Sequence, residues 1–316
     1  MIRGRSDANA NWPALPFADW RETVQTLHMW TQIVGKIRMV QSPWLNHAWH
    51  VTLYVTPRGL TTSTIPYGTR NFRIDFDFID HQLIIESCEG VVEQLPLIAQ
   101  DTADFYGAVM SSLGKMGLPV MINTRPNEVE EAIPFSEDRT HNAYDAEAVS
   151  RFWRALYQVD RVFDVFRAQF SGKSSPVHFF WGSFDLALTR FSGRTAPDHS
   201  GGVPNMPLWV AQEAYSHEVS SAGFWPGSDA FPEPIFYSYA YPAPERFSEA
   251  EIRPNEAYWV KDLGEFVLPY DVVRRADKPD ATLLEFLQST FDAASKLADW
   301  DVGNWQRRHF PAAKRG

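Results

Sequence analysis

The sequence predicts an α+β fold of two antiparallel-sheet lobes, each flanked by helices. Three observations carry this expectation. Residues 72–78 alternate strictly, with Phe72, Ile74, Phe76 and Phe78 interleaved with Arg73, Asp75 and Asp77. That is the period of a half-buried antiparallel strand. Stretches around residues 20–37 and 149–170 place apolar side chains at helical spacing. The order helix, strands, helix runs through the first half of the chain and again through the second.

Taken in order, residues 1–15 read as an extended arm. A helix begins at Asp19, where Asp19 and Glu22 have the spacing of a capping box. Trp20, Val24, Leu27, Val34 and Ile37 form its apolar stripe. His28, Thr31, Gln32 and Lys36 lie on the same helix, so its buried face is not cleanly apolar. Strands follow at 49–55, 72–78, 83–87 and 91–95, with turns at Asp80-His81 and Glu89-Gly90. Asp101 caps a helix displaying Phe105, Val109, Leu113 and Met116, which Gly117 and Pro119 end. Residues 123–144, polar and proline-bearing, read as the connection between lobes. Asp145 opens a long helix carrying Val149, Phe152, Trp153, Leu156, Phe163, Phe166 and Phe170, which stops at Gly172. Further strands are expected near 176–190, 215–223, 235–241 and 256–268. Asp280 caps a last helix with Leu283, Leu284, Leu287, Phe291 and Leu297. The lobes are therefore 16–124 and 145–299, with arms at 1–15 and 301–316. Leu53-Tyr54-Val55-Thr56 before Gly59 resembles Leu186-Ala187-Leu188-Thr189 before Gly193, as a diverged internal duplication would leave it.

Composition narrows the function. Apolar residues make up 44% of the 316, enough for a large core. No run reaches the roughly 18 apolar residues of a membrane span, so no membrane contact is expected. The first residues lack the apolar region of a signal peptide. The single cysteine, Cys88, excludes an internal disulfide and a cysteine-cluster zinc site, and predicts a cytoplasmic protein. A net charge of −10 argues against a nucleic-acid partner. The basic cluster is confined to Arg307, Arg308, His309, Lys314 and Arg315. No pattern speaks to the oligomeric state.

Function concentrates in two polar-aromatic segments. Residues 175–188 contain His178, Trp181, Ser183 and Asp185, and residues 215–227 contain His217, Glu218, Ser221 and Trp225. A site that orients a small molecule needs both apolar walls and a few placed polar groups. With 12 tryptophans among the aromatic 14%, ring walls are plentiful, Trp181 and Trp225 above all. Read as one strand, 177–190 places His178, Phe180, Phe184, Leu186 and Leu188 on one face and Trp181, Ser183 and Asp185 on the other. Asp185, set among Phe184, Leu186 and Leu188, is costly to bury alone. It is expected to be buried against a cation or several donors, and the two segments are expected to be neighbours. His47, Trp49 and His50 form a further cluster at a strand entrance.

The segments HFFWGSFDLALTRFSGR and SHEVSSAGFWPG, together with LHMWTQIVGKIR and the stretch from NHAWHVTLYVTPRGLTTSTIPYG to FDFIDH, resemble a bacterial family of unknown function. The resemblance spans roughly Leu15 to Trp300. It implies one family-wide fold of this length and brings no activity, cofactor or catalytic residue.

The favoured expectation is an enzyme acting on a small organic molecule in a cleft between the lobes. His178, Asp185, His217 and Glu218 are the catalytic candidates, and Trp181, Ser183, Ser221 and Trp225 the ligand-binding ones. His217, beside hydroxyls and a glycine turn, is the expected base. No dinucleotide, phosphate-loop, zinc-protease or nucleophile-elbow signature is present, so no cofactor is named. Two histidines on separate strands favour hydrogen bonding over metal, so no metal is expected. The alternatives are a binding protein without catalysis, an assembly role, and a metal-dependent oxidoreductase or hydrolase using His178, His217 and Asp185 or Glu218.

Overall fold

A helix buried on every side has to run through the interior. α1 (Arg21–Gln41) does so: from Thr23 to Arg38, every residue except Gln25 and His28 is buried. The computed structural model describes residues 11–302. Trp305 and the basic cluster at 307–315 lie outside the described residues. The expected capping box does not form. The N-cap is Trp20, without a side-chain cap bond, and Asp19 closes a 3-10 turn, Phe17–Asp19. Burial of Phe17 and Trp20 sets the entry of the helix instead. Residues 12–15 also dock: Trp12 and Leu15 are buried, and the Tyr270 hydroxyl donates to the Pro13 carbonyl at 2.9 Å.

The first sheet comprises β1 (Tyr54–Thr56), β2 (Gly59–Thr61), β3 (Ile65–Tyr67), β4 (Arg70–Asp77), β5 (Gln82–Ser87) and β6 (Val92–Pro96). Its order is β1-β2-β4-β5-β6, and β3 continues along the β4 edge beside β2. Register sets Phe76 opposite Leu83 and Ile74 opposite Ile85, all buried, while Arg73 pairs with Glu86 on the wet face. The strand expected at 49–55 is only β1. His47 and Ala48 take left-handed φ of 60° and 56°, which ends any extended run there.

After α2 (Thr102–Lys115) comes the irregular connection, then α3 (Ala146–Ala168). The Asp145 side chain caps α3 by accepting from the Glu147 and Ala148 N–H groups. The second sheet is built from β7 (His178–Phe180), β8 (Asp185–Thr195), β9 (His217–Trp225), β10 (Ile235–Tyr241), β11 (Tyr258–Val260) and β12 (Glu265–Pro269). The short α4 (Leu208–Ala214) precedes β9, and α5 (Tyr270–Arg275) and α6 (Pro279–Leu297) follow the sheet. All neighbours pair antiparallel in the order β11-β12-β10-β9-β8-β7. Two expected strands, 176–190 and 256–268, are each a hairpin, because residues 181–184 and 261–264 turn.

The sheets meet at one bridge. Leu53 and Phe179 exchange both backbone hydrogen bonds, at 2.9 and 2.8 Å. One hydrophobic cluster runs from Trp12 to Trp300 and draws on both halves. The two similar segments stand at different places: residues 53–56 end in the edge strand β1, whereas 186–189 lie inside β8 with Gly193 in the same strand.

On the second sheet, Leu186, Leu188, Ala222, Phe224, Phe236, Phe266 and Leu268 belong to the core cluster, with Leu283, Leu287 and Phe291 of α6. The opposite face looks toward α1. There Gly35 leaves room for Trp181, whose indole N–H donates to the Val51 carbonyl at 2.7 Å. A Cβ on Gly35 would lie 2.1 Å from the Trp181 ring. Gly35→Ala is expected to destabilise by about 1–3 kcal/mol in urea unfolding, despite a better helix propensity. A neutral or stabilising result would show that the contact yields freely.

Candidate functional site

The turn at 181–184 decides which side chains meet. It pairs Phe180 with Asp185 and His178 with Ala187, so even-numbered His178 and Phe180 share the face of odd-numbered Asp185, Ala187 and Thr189. The single-strand reading placed His178 opposite Asp185; the hairpin reverses it. Ser221 and Trp225 of β9 and Tyr237 and Tyr239 of β10 lie on that face. The face, α1, the loops around 123–130 and 199–207, and α4 with Tyr215 line a half-open cavity of about 1370 Å³. That exceeds the roughly 300–1,000 Å³ of ordinary ligand pockets.

Its polar floor is acidic. Asp185, 5% exposed, accepts from the Ser183 hydroxyl and the Tyr237 hydroxyl. Tyr239 stacks on Tyr237 at 6.2 Å, and its hydroxyl meets that of Tyr215 at 2.8 Å. Thr189 and Ser221 join hydroxyls at 2.9 Å. Glu128 arrives from the connecting loop with a left-handed φ of 59°. Its carboxyl rests over Gly182, where a Cβ would lie 2.0 Å from Oε1, so any larger residue there would have to push the Glu128 side chain aside. Glu265, the first residue of β12, completes the group.

The polar residues of α1 hold these loops. Gln32 accepts from the Asn127 N–H and donates to the Asn127 carbonyl, both at 2.8 Å, as a neighbouring strand would. His28 Nε2 donates to the Gly182 carbonyl at 2.8 Å. Burial pushes the Glu128 carboxyl up to about 7, with Asp185 adding repulsion. Burial and Asp185 push Glu265 up to about 8. Asp185 is also raised by burial, against the hydrogen bonds of Ser183 and Tyr237. Burial lowers His28 to about 4 and His178 to about 3, so both are neutral imidazoles.

The structure brings together His178, Trp181, Ser183, Asp185, Ser221 and Trp225 on the cavity wall. Asp185 is buried as expected, held by two hydroxyl donors rather than a cation. His217 and Glu218 stand apart. His217, at the start of β9, is opposite Thr195, whereas His178 is opposite Ala187, at the other end of β8. The histidines are linked only through intervening rings: His47 lies 5.7 Å from His217 and 5.3 Å from Trp49, and Trp49 lies 6.5 Å from His178. Glu218 points to the opposite face, bound to Arg194 at 2.7 Å and to the Ser192 hydroxyl at 2.9 Å. Neither His217 nor Glu218 lines the cavity that Asp185 lines, although the two segments are neighbours, paired along β8 and β9. Among the described residues no group of three or more His, Cys, Asp and Glu is placed to hold a metal ion.

Residues 12–307 match the sequence profile of a family of unknown function, DUF5996. The chain belongs to that family. No curated protein and no solved structure matches it significantly. Within this DUF5996 chain, sequence reasoning did not assign His28, Glu128, Tyr237, Tyr239 and Glu265 to the site. The Tyr237-x-Tyr239-x-Tyr241 alternation was a readable signal of a face carrying phenols. For Glu128 there was none, because its place depends on a loop that α1 positions.

The Glu128 shift has a sign that can be tested. Its folded value, about 7, lies above its ordinary 4.5, so the folded state disfavours ionisation. The resulting cost is absent below about pH 4.5 and grows as pH rises through 7. Glu128→Gln is expected to raise stability by about 2 kcal/mol at pH 8 and not at pH 4, read as denaturant midpoints.

Proposed function

We propose that this protein is an enzyme that moves a proton on a small organic molecule bound in the cavity between the second sheet and α1. The observation that carries this reading is Glu128. Its carboxyl accepts no hydrogen bond from the described residues, lines the cavity, and is raised to about 7. A general acid–base is most effective with a value near the working pH. Asp185 is anchored by Ser183 and Tyr237, so it serves as the fixed neighbour whose repulsion keeps the Glu128 proton mobile. Tyr237 and Tyr239, raised by burial, remain neutral phenols. Phe180, Trp181 and Trp225 supply apolar wall, and His178 and Ser221 supply further polar contacts. His217 and Glu218 have no part in this scheme, since neither lines the cavity.

A cytoplasmic setting belongs to the same proposal. Cys88 is a free, exposed thiol, and among the described residues no helix is long and apolar enough to cross a membrane.

The test is conversion of a defined mixture of small amines, alcohols, hydroxy acids and esters, followed by mass spectrometry. One component should be consumed by the wild type. Glu128→Gln should lower kcat on it by about 100-fold or more, with KM changed little. The pH profile of kcat/KM should lose an inflection near 7. A component that binds and is recovered unchanged would replace catalysis with binding.

A further inference from the structure

We propose that the occupant of this cavity is a small organic cation, an ammonium-bearing molecule held by Glu128, Asp185 and Glu265 among the phenols of Tyr237 and Tyr239. The inference rests on the preceding reading that the cavity is the functional site, and it names the class of molecule the site accepts.

The charge balance of the wall is one-sided. Five carboxylates line it, Glu128, Glu130, Asp185, Asp229 and Glu265, against one Lys or Arg side chain, Lys36. Asp229, at the rim, is already paired with Arg21. Lys36 donates to the Arg125 carbonyl at 2.7 Å and makes no ion pair with any described residue. The Glu128 and Glu265 carboxyls accept no hydrogen bond from any described residue, and no cation acts on either. Both residues are half-buried, and a carboxylate drawn out of water is ordinarily paired. Phenols and the Ser183 hydroxyl meet this cluster while Lys36 turns to the Arg125 carbonyl, so a cationic ligand would supply the missing complement.

The groups facing the cluster do not fill that role. From α1 comes His28, whose Nε2–H is spent on Gly182. The loop before α4 brings His199, stacked on Tyr215 at 4.6 Å, with its Nδ1 accepting from the Gly201 N–H. From β10 come Tyr237 and Tyr239, and from the end of α4 Tyr215. Their electron-rich faces suit a cation as well as their hydroxyls do.

A second feature of the wall is independent of the acids. His178 is 1% exposed and lines the same cavity, one position beyond Phe180 on the Asp185 face. Its Nδ1 has no hydrogen-bond partner. A buried polar atom without a partner is uncommon, and this one belongs to a side chain that lines the cavity. The floor is also cut to shape. A Cβ on Gly223 would lie 2.3 Å from the Tyr237 ring, so glycine there lets the phenol reach Asp185.

Binding has a proton balance. Near neutral pH the cluster carries fewer charges than carboxyls. A cation entering it favours the ionised forms, so a carboxyl O–H bond breaks and the proton passes to the buffer, while the ammonium keeps its own protons. The base of the proposed reaction is then fully ionised only when the ligand is in place.

The test is titration calorimetry of the whole chain with benzyltrimethylammonium, benzylammonium and the neutral benzyl alcohol. The quaternary probe keeps its charge at every pH. At least one cation should bind about tenfold or more tightly than the alcohol, and weaken about fivefold or more from pH 8 to pH 6. Its heat should depend on buffer ionisation in the sense of proton release. Glu265→Gln and Glu128→Gln should each weaken it about tenfold while leaving the alcohol unchanged. Equal binding of the alcohol, indifference to pH, proton uptake, or no cation binding at millimolar concentration would overturn the inference. These outcomes separate from those of the conversion test. Turnover of a neutral compound with no cation binding sinks the cation and keeps the enzyme. Cation binding with proton release and no turnover keeps the cation and sinks the enzyme.

Discussion

The structure depends on the four residues, 181–184, that turn β7 into β8. A hairpin one residue longer or shorter would send His178 and Phe180 to the other side of the sheet. The turn is pinned from three directions. The Trp181 indole holds the Val51 carbonyl, His28 holds Gly182, and Phe184, in a left-handed conformation at φ 60°, stacks on Phe152 at 5.4 Å. Immediately before the turn, Phe179 pairs with Leu53 and joins the two sheets. The same short segment thus fixes the side-chain parity of the cavity, the seam between sheets and the seat of the Glu128 carboxyl.

Much of the architecture was legible. The alternation at 72–78, the cap at Asp145 and the stripes of the long helices are local signals, and local structure follows them; Asp101 stands at its N-cap position, but its side chain pairs with Arg139 rather than capping. What was not legible is where a run of strand-like residues breaks. Phe184 is a strand former by composition, yet it occupies a left-handed turn position because its ring is wanted against Phe152. Tertiary burial outweighs the local preference there. The same applies to His47 and Ala48, whose left-handed turn delivers the His47 N–H to the Glu213 carboxylate at 3.0 Å.

The candidate site was half legible, for a related reason. His178, Trp181, Ser183 and Asp185 are close in sequence, so composition found them. Ser221 and Trp225 were found the same way. Composition also drew in Glu218 and His217, because residue type says nothing of strand parity or of how far along a strand a cavity extends. Glu128 and Glu265 were out of reach, since neither lies in a dense segment. The clue that was present lay in α1: His28 and Gln32 spoil its apolar stripe. Polar groups on a fully buried helix must have partners, and theirs are the two loops that carry Gly182 and Glu128.

The alternation of the second sheet has a consequence for how such a protein can diversify. Even-numbered positions of β8, β9 and β10, such as Leu188, Phe224 and Phe236, are packed into the core. Odd-numbered ones, such as Thr189, Ser221 and Tyr239, face a cavity of about 1370 Å³. Replacing an inward core residue disturbs dense packing, whereas a change across the pleat meets open space. The two sets of positions are thus free to vary at different rates, so the lining of the cavity can change without renegotiating the fold.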